Sequence, residues 1–372
     1  MVKIKAFINK YVPTPSAVIM CVFLFALIIW GICRISTMFA DFWNVYIGSV
    51  IRGTLAYATG WIPFSLAEFI LLSMPVTMVC LIVHAWCSET NTTQQMVRYL
   101  FGIFSIPAVI FSILMLGFSA GYCTQTVDER LSLEKQPVSS YELYDTAKWL
   151  LENVNAEASS LSYGQNGASV MPYTLSELDD KINDAYKTVC REHTFIQKLN
   201  TSVKPVVMSE IWTYTHISGV YTFFTGEANI NTNFPEYTLP FTVAHEMAHQ
   251  RGISREEEAN FIAFLVCTSS DDPYIRYSGY LSVYEYVASA LYKSDSKLYF
   301  KLISNDMTQL VKGELICFDE FFEKYRTSTA SDVVSTVQDA YLQGQGQSEG
   351  SRSYNLVTDL AVAYYKANAE KD

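Results

Sequence analysis

Two histidines four residues apart, with a glutamate directly after the first, are the residues of this chain best suited to chemistry. They are His245, Glu246 and His249, in the run Phe241-Thr-Val-Ala-His-Glu-Met-Ala-His249. Residues four apart share one face of a helix, so both imidazoles can grip a single cation. Glu246 can then take a proton from a water molecule that the cation activates. A zinc ion with three protein ligands keeps one position open for catalysis, so a third ligand is required. The adjacent glutamates can supply it, with Glu256 the first choice and Glu258 the fallback. Asn260 lies one turn beyond Glu256 on the same face, where an amide can orient a ligating histidine. One Zn2+ ion is the expected cofactor.

These residues need helices to position them. Leu239-Pro240 suits a helix entry, because proline is tolerated in the first turn. Gly252 suits the left-handed position that ends a helix. Ser254 and Glu257 have capping-box spacing for the start of a second helix, which assigns Glu257 to capping.

His245-Glu246-x-x-His249 followed by Glu256-x-x-x-Asn260 resembles the gluzincin pattern, with a shorter gap between His249 and Glu256 than commoner gluzincins have. Metzincins are excluded, because their third histidine falls at Arg255 here. The wider runs Gly60-Trp-Ile-Pro-Phe-Ser65, Ser218 to Tyr221, Thr225 to Asn231 and Glu258 to Phe261, with the segment near Tyr341-Leu342, are similar to a bacterial family known only as a domain of unknown function. The resemblance implies a membrane-anchored zincin-like peptidase. Zincins place an edge strand beside the zinc helix, where a peptide adds as one more strand. By that resemblance, Gly226, Glu227, Ala228 and Asn229 form the edge; the alternative is an ordinary strand packed over the helix. A further donor should stabilise the developing oxyanion. Tyr280 is the first candidate, with Tyr277, Tyr284, Arg276, His216 and Tyr221 beside it.

Half of the 372 residues are apolar, and the excess sits at the N-terminus. Three apolar runs, about 16–35, 61–86 and 99–122, are each long enough to cross about 30 Å of hydrocarbon. Residues 1–123 are therefore expected to form a membrane domain and 124–372 an extracytoplasmic domain. Lys3, Lys5 and Lys10 precede the first span, whereas Arg52 is the basic residue inside the following loop. The N-terminus is thus expected in the cytoplasm of a multi-pass cell-membrane protein. The expected fold is mainly α, with a zincin-like α+β domain and a small sheet after the spans. Helices are expected over 140–155, 175–191, 240–251, 254–267, 277–293, 298–310, 319–326, 330–342 and 354–368, with a polar loop at 343–353. A net charge of −11 excludes nucleic acid as a partner. Cys123, Cys190, Cys267 and Cys317 fall where disulfides can form. The function these features favour is a zinc endopeptidase acting on peptides or envelope proteins from the bilayer. The rival is a sensor or scaffold that keeps the metal without turnover.

Overall fold

The computed structural model describes residues 10–87, 92–326, 329–347 and 356–369. Lys3 and Lys5, on which the orientation partly rests, lie outside these residues, as do Tyr354 and the loop positions 348–353. Contacts divide the chain into a unit of Met1–Thr124 with Thr222–Glu227, and a second of Gln125–Tyr221 with Ala228–Asp372.

The first unit contains three helices long and apolar enough to cross a membrane, Thr14–Ile35, Leu66–Cys87 and Thr93–Gly117. The last two depart from the apolar runs. Trp61 to Phe64 form a turn, and the second helix starts at Leu66, where the Ser65 hydroxyl accepts from the Glu68 amide at 2.9 Å. The third helix starts six residues before the apolar run, because Thr92 caps it by accepting from the Gln95 amide. It ends at Gly117, and a 3-10 turn, Ser119–Cys123, follows. Hydropathy marks only the greasy middle of such a helix, not its polar capped turns.

Between the first two spans lie Thr37–Phe42, a π-helical turn Trp43–Gly48, and the helix Ser49–Gly60. Arg52, expected as a loop cation, is only 2% exposed. Its guanidinium donates to Asn44 Oδ1 at 2.8 Å, the Asn44 carbonyl at 2.9 Å and the Gly117 carbonyl at 2.6 Å. A buried guanidinium is tolerated when such acceptors satisfy it. It cross-links Ser49–Gly60 to the end of the third span.

The second unit is mainly helical around a small sheet. Ser140–Ala158 packs along Pro273–Ser294, and Leu150, Leu151, Val154, Leu281 and Leu291 are fully buried between them and their neighbours. Capping boxes at Ser139/Glu142 and Thr174/Glu177 start two of its helices. The helices expected at 298–310 and 319–326 are Ser296–Asp306 and Gln309–Glu323, because Asp295 caps the first and the intervening break falls at Met307-Thr308. The helix expected to end at 342 extends as Thr329–Gly344. Strands β1 (Lys204–Pro205), β2 (Gly219–Thr222) and β3 (Glu227–Ile230) lie in the order β1-β3-β2, with Lys204 opposite Asn229 and Pro205 opposite Ile230 in the parallel pair. All eight cysteines are free thiols, so none of the four that could pair does so. Cys267 is fully buried, where a thiol packs as a small apolar group.

Buried carboxyls, Asp179 and Glu314 among them, make this unit's stability pH-dependent. Burial pushes Asp179, 4% exposed, up to about 7, and Glu314, 1% exposed, up as well. Unfolded, such groups titrate near about 4. Between those values the folded chain binds more protons, so stability falls as pH rises through that window. The melting temperature of detergent-solubilised protein should be about 3 °C lower at pH 8 than at pH 5. Asp179→Asn, which keeps an acceptor for the Val203 amide, should flatten that slope; an unchanged slope refutes the assignment.

Candidate metal centre

The helix Leu239–Gln250 carries both histidines and is buried along its whole length. Such a helix needs its backbone and termini held from several sides. Ser278 Oγ accepts from the Phe241 amide at 3.1 Å, and the Tyr186 hydroxyl donates to the Ala244 carbonyl at 2.6 Å. Arg251, 1% exposed, stacks 3.9 Å from the centre of the Tyr186 ring and donates to the Met247 and Leu199 carbonyls and to Asn183. Gly252 ends the helix at φ +95°. Its amide donates to the His249 carbonyl and that of Ile253 to Ala248, a Schellman arrangement that a side chain at 252 would strain.

That cap also orients a histidine. The Ile253 carbonyl lies 2.7 Å from His249 Nδ1. A carbonyl can only accept, so Nδ1 carries the proton and Nε2 offers a lone pair. His249 Nε2 lies 3.1 Å from His245 Nε2, and Glu256 Oε2 lies 3.3 and 3.4 Å from the two nitrogens. Ligand atoms about 2.1 Å from a tetrahedral zinc ion stand about 3.4 Å apart. The triangle matches that spacing, and two nitrogens and a carboxylate are a donor set zinc accepts, so these residues fit one ion. Burial opposes charge on His249, yet the Glu256 carboxylate outweighs it and lifts His249 to about 9. Burial would raise Glu256, but the imidazoles hold it well below the ordinary carboxylate range.

Glu256 opens its helix, Glu256–Thr268, with Arg255 at the N-cap and no side-chain cap. The capping box expected from Ser254 and Glu257 is therefore absent, because the helix begins two residues after Ser254 rather than beside it. Glu257 instead sits in the first turn, where burial pushes its carboxyl up to about 7. Glu258 points to other partners, the Val127 amide at 3.0 Å and Arg255 Nη1 at 2.9 Å. Both carboxylate contacts fasten the helix and leave the centre to Glu256. Asn260 is buried near Tyr286. Its amide nitrogen and His245 Nδ1 are both buried without partners, so the expected amide-to-imidazole bond is not made.

Glu246 is 5% exposed, and burial raises its carboxyl. The Tyr221 backbone amide in β2 donates to it, while its Oε2 is buried without a partner. Gly219 lies flush against this side chain. An added Cβ there would stand 2.7 Å from Glu246 Cγ and 2.8 Å from Oε1. Gly219→Ala should therefore displace the carboxylate and lower any hydrolytic rate about 100-fold, the usual cost of a displacement near 1 Å. Zinc content should not change; a rate within twofold of wild type would show that Glu246 tolerates the shift.

The proposed edge is not an edge. β3 is the central strand, and Glu227, Ala228 and Asn229 are buried in it. Asn229 Nδ2 donates across to the Val220 carbonyl in β2. The outer strand beside Glu246 is β2, Gly219–Thr222.

Tyr280 does not reach the centre. Its ring packs edge-on against Trp149 and Phe264, with centroids 6.1 and 5.8 Å away. Tyr277 donates to Glu314, Arg276 pairs with Glu157 and His216 bonds the Tyr325 carbonyl. The phenol that lies beside Asn260 and feels the charge of Glu256 is Tyr286, with burial the larger cause of its raised pKa. With 25 tyrosines in the chain, composition had no means of picking it out.

No curated protein and no solved structure matches this chain. The family model described as a protein of unknown function (DUF3810) matches residues 43–362, and the chain belongs to that family.

Proposed function

We propose that this chain is a membrane-anchored, zinc-dependent endopeptidase with Glu246 as its general base. The observation that carries the reading is the convergence of His245 Nε2, His249 Nε2 and Glu256 Oε2 at 3.1 to 3.4 Å, beside a buried carboxylate that does not belong to the triangle. A zinc ion held there would polarise a scissile carbonyl and acidify a water molecule. Glu246 takes the proton through its unpartnered Oε2 and passes it to the departing amine. Its raised affinity for protons suits that transfer, and the Tyr221 amide and Gly219 fix its angle. An extended peptide aligns along the outer side of β2 by main-chain hydrogen bonds. The lysines before the first span, with three crossings, favour a catalytic unit outside the cytoplasm and support envelope proteins as the substrate class. Metal analysis of the full chain in detergent, with cleavage of labelled casein by wild type and Glu246→Gln, tests the proposal. One zinc per chain with Glu246-dependent cleavage supports it; no bound zinc, or equal cleavage by both, refutes it. Metal binding without cleavage would favour a sensor.

A further inference from the structure

The turn Thr222–Glu227 belongs to the unit of membrane helices, although it joins β2 to β3. Glu227, 2% exposed, places one carboxylate oxygen 3.1 Å from the Leu66 amide and the other 3.0 Å from the Ala67 amide. The first amides of a helix have no intrahelical acceptor, so this carboxylate caps the helix Leu66–Cys87 from 160 residues away along the chain. Thr59 Oγ1 donates to the Thr225 carbonyl at 3.1 Å. Gly226, at φ +72°, lies so close to the helix Ser49–Gly60 that a Cβ would stand 2.7 Å from both the Ala56 nitrogen and Leu55 Cβ. Glycine is required there on two counts, conformation and space.

The residue that precedes this turn is Tyr221, whose amide holds Glu246, and Gly219 stands two positions earlier against the same carboxylate. β2 is four residues long, so Thr222 at its end stands one residue from Tyr221 and three from Gly219. What fixes one end of it governs the other.

We propose that Thr222–Glu227 is a strap by which the membrane helices set the position of Glu246, with Glu227 the positioning residue. The proposal rests on the reading of Glu246 as the base. Three attachments hold the strap: a double backbone cap, a threonine bond and a glycine seat. Loosening any of them frees β2, and with it the wall that aims Glu246. The two histidines stand on a helix held by Tyr186, Arg251 and Ser278, and Glu256 on one fastened through Glu258 to the Val127 amide, so their grip on an ion does not depend on the strap.

Hydrogen exchange read by mass spectrometry on the full chain in lipid nanodiscs tests this, with zinc content measured on each sample. Glu227→Ala should speed exchange of the amides at 66–67 and at 219–221 together, each by about tenfold, with zinc retained. Glu227→Gln keeps one good acceptor and should give an intermediate rise. Thr59→Val removes a separate attachment and should raise exchange at 219–221 by about threefold, so it decides the matter where the alanine variant fails to fold. On labelled casein, the variants should lower kcat with little change in KM. Faster exchange at 66–67 with none at 219–221 overturns the strap. Wild type without zinc or casein cleavage would defeat the peptidase reading instead, while the exchange results still judged the coupling.

Discussion

Glu246→Gln is expected to bind one zinc ion as wild type does and to lose about 10³-fold in hydrolysis, within the range that general-base removal produces. The reason is the division of labour in the site. Glu246 lies outside the triangle of His245, His249 and Glu256, so the amide leaves the donor set untouched. Glutamine has nearly the same shape as glutamate, and its carbonyl oxygen can still accept from the Tyr221 amide. What it cannot do is bind and release a proton. Side-by-side metal analysis and casein cleavage read the two properties separately. A variant that lost zinc would place Glu246 among the ligands, and one that kept full activity would remove it from the reaction.

His249→Ala should abolish the response to metal altogether. Ligand at about 1,000 times its dissociation constant stabilises a folded protein by about 4 kcal/mol. For a unit of this size that raises the melting temperature by about 10 °C. Wild type should show that rise with zinc and lose it with a chelator. The alanine variant lacks one of the three ligand atoms and also the bond from Nδ1 to the Ile253 carbonyl that ties the ring to the helix cap. Its melting temperature should be the same with zinc or chelator. An equal response in the two proteins would mean that the ion binds elsewhere.

Two failures among the sequence expectations, the edge strand and Tyr280, share a cause. Glu227 to Asn229 read as an edge only through the resemblance to zincins, yet β1, only two residues long, pairs on their far side. Two residues separated by more than twenty from their partner strand carry no periodicity that signals pairing. Tyr280 was a matter of helix face. On Pro273–Ser294, Tyr277, Tyr280 and Tyr284 share the side that enters the core, whereas Tyr286 is turned away from it by about half a turn. Which of these sides meets the metal centre depends on how that helix packs. Arg52 and Glu227 were legible as charged residues, but the Gly117 acceptor of the one and the Ala67 donor of the other lie 65 and 160 residues away.

The local chemistry was written in the chain. Spacing of four puts His245 and His249 on one helical face, Gly252 ends that helix because it alone accepts the left-handed turn without strain, and three apolar stretches are long enough to span a bilayer. Those features follow from backbone geometry and residue type over a few turns. Tertiary structure alone chose Glu256 over Glu258, set Gly219 and the Tyr221 amide against Glu246, and carried residues 222–227 into the unit of the membrane helices. Each of these choices is a contact between distant segments, decided by which buried polar atoms could find partners once the core had closed.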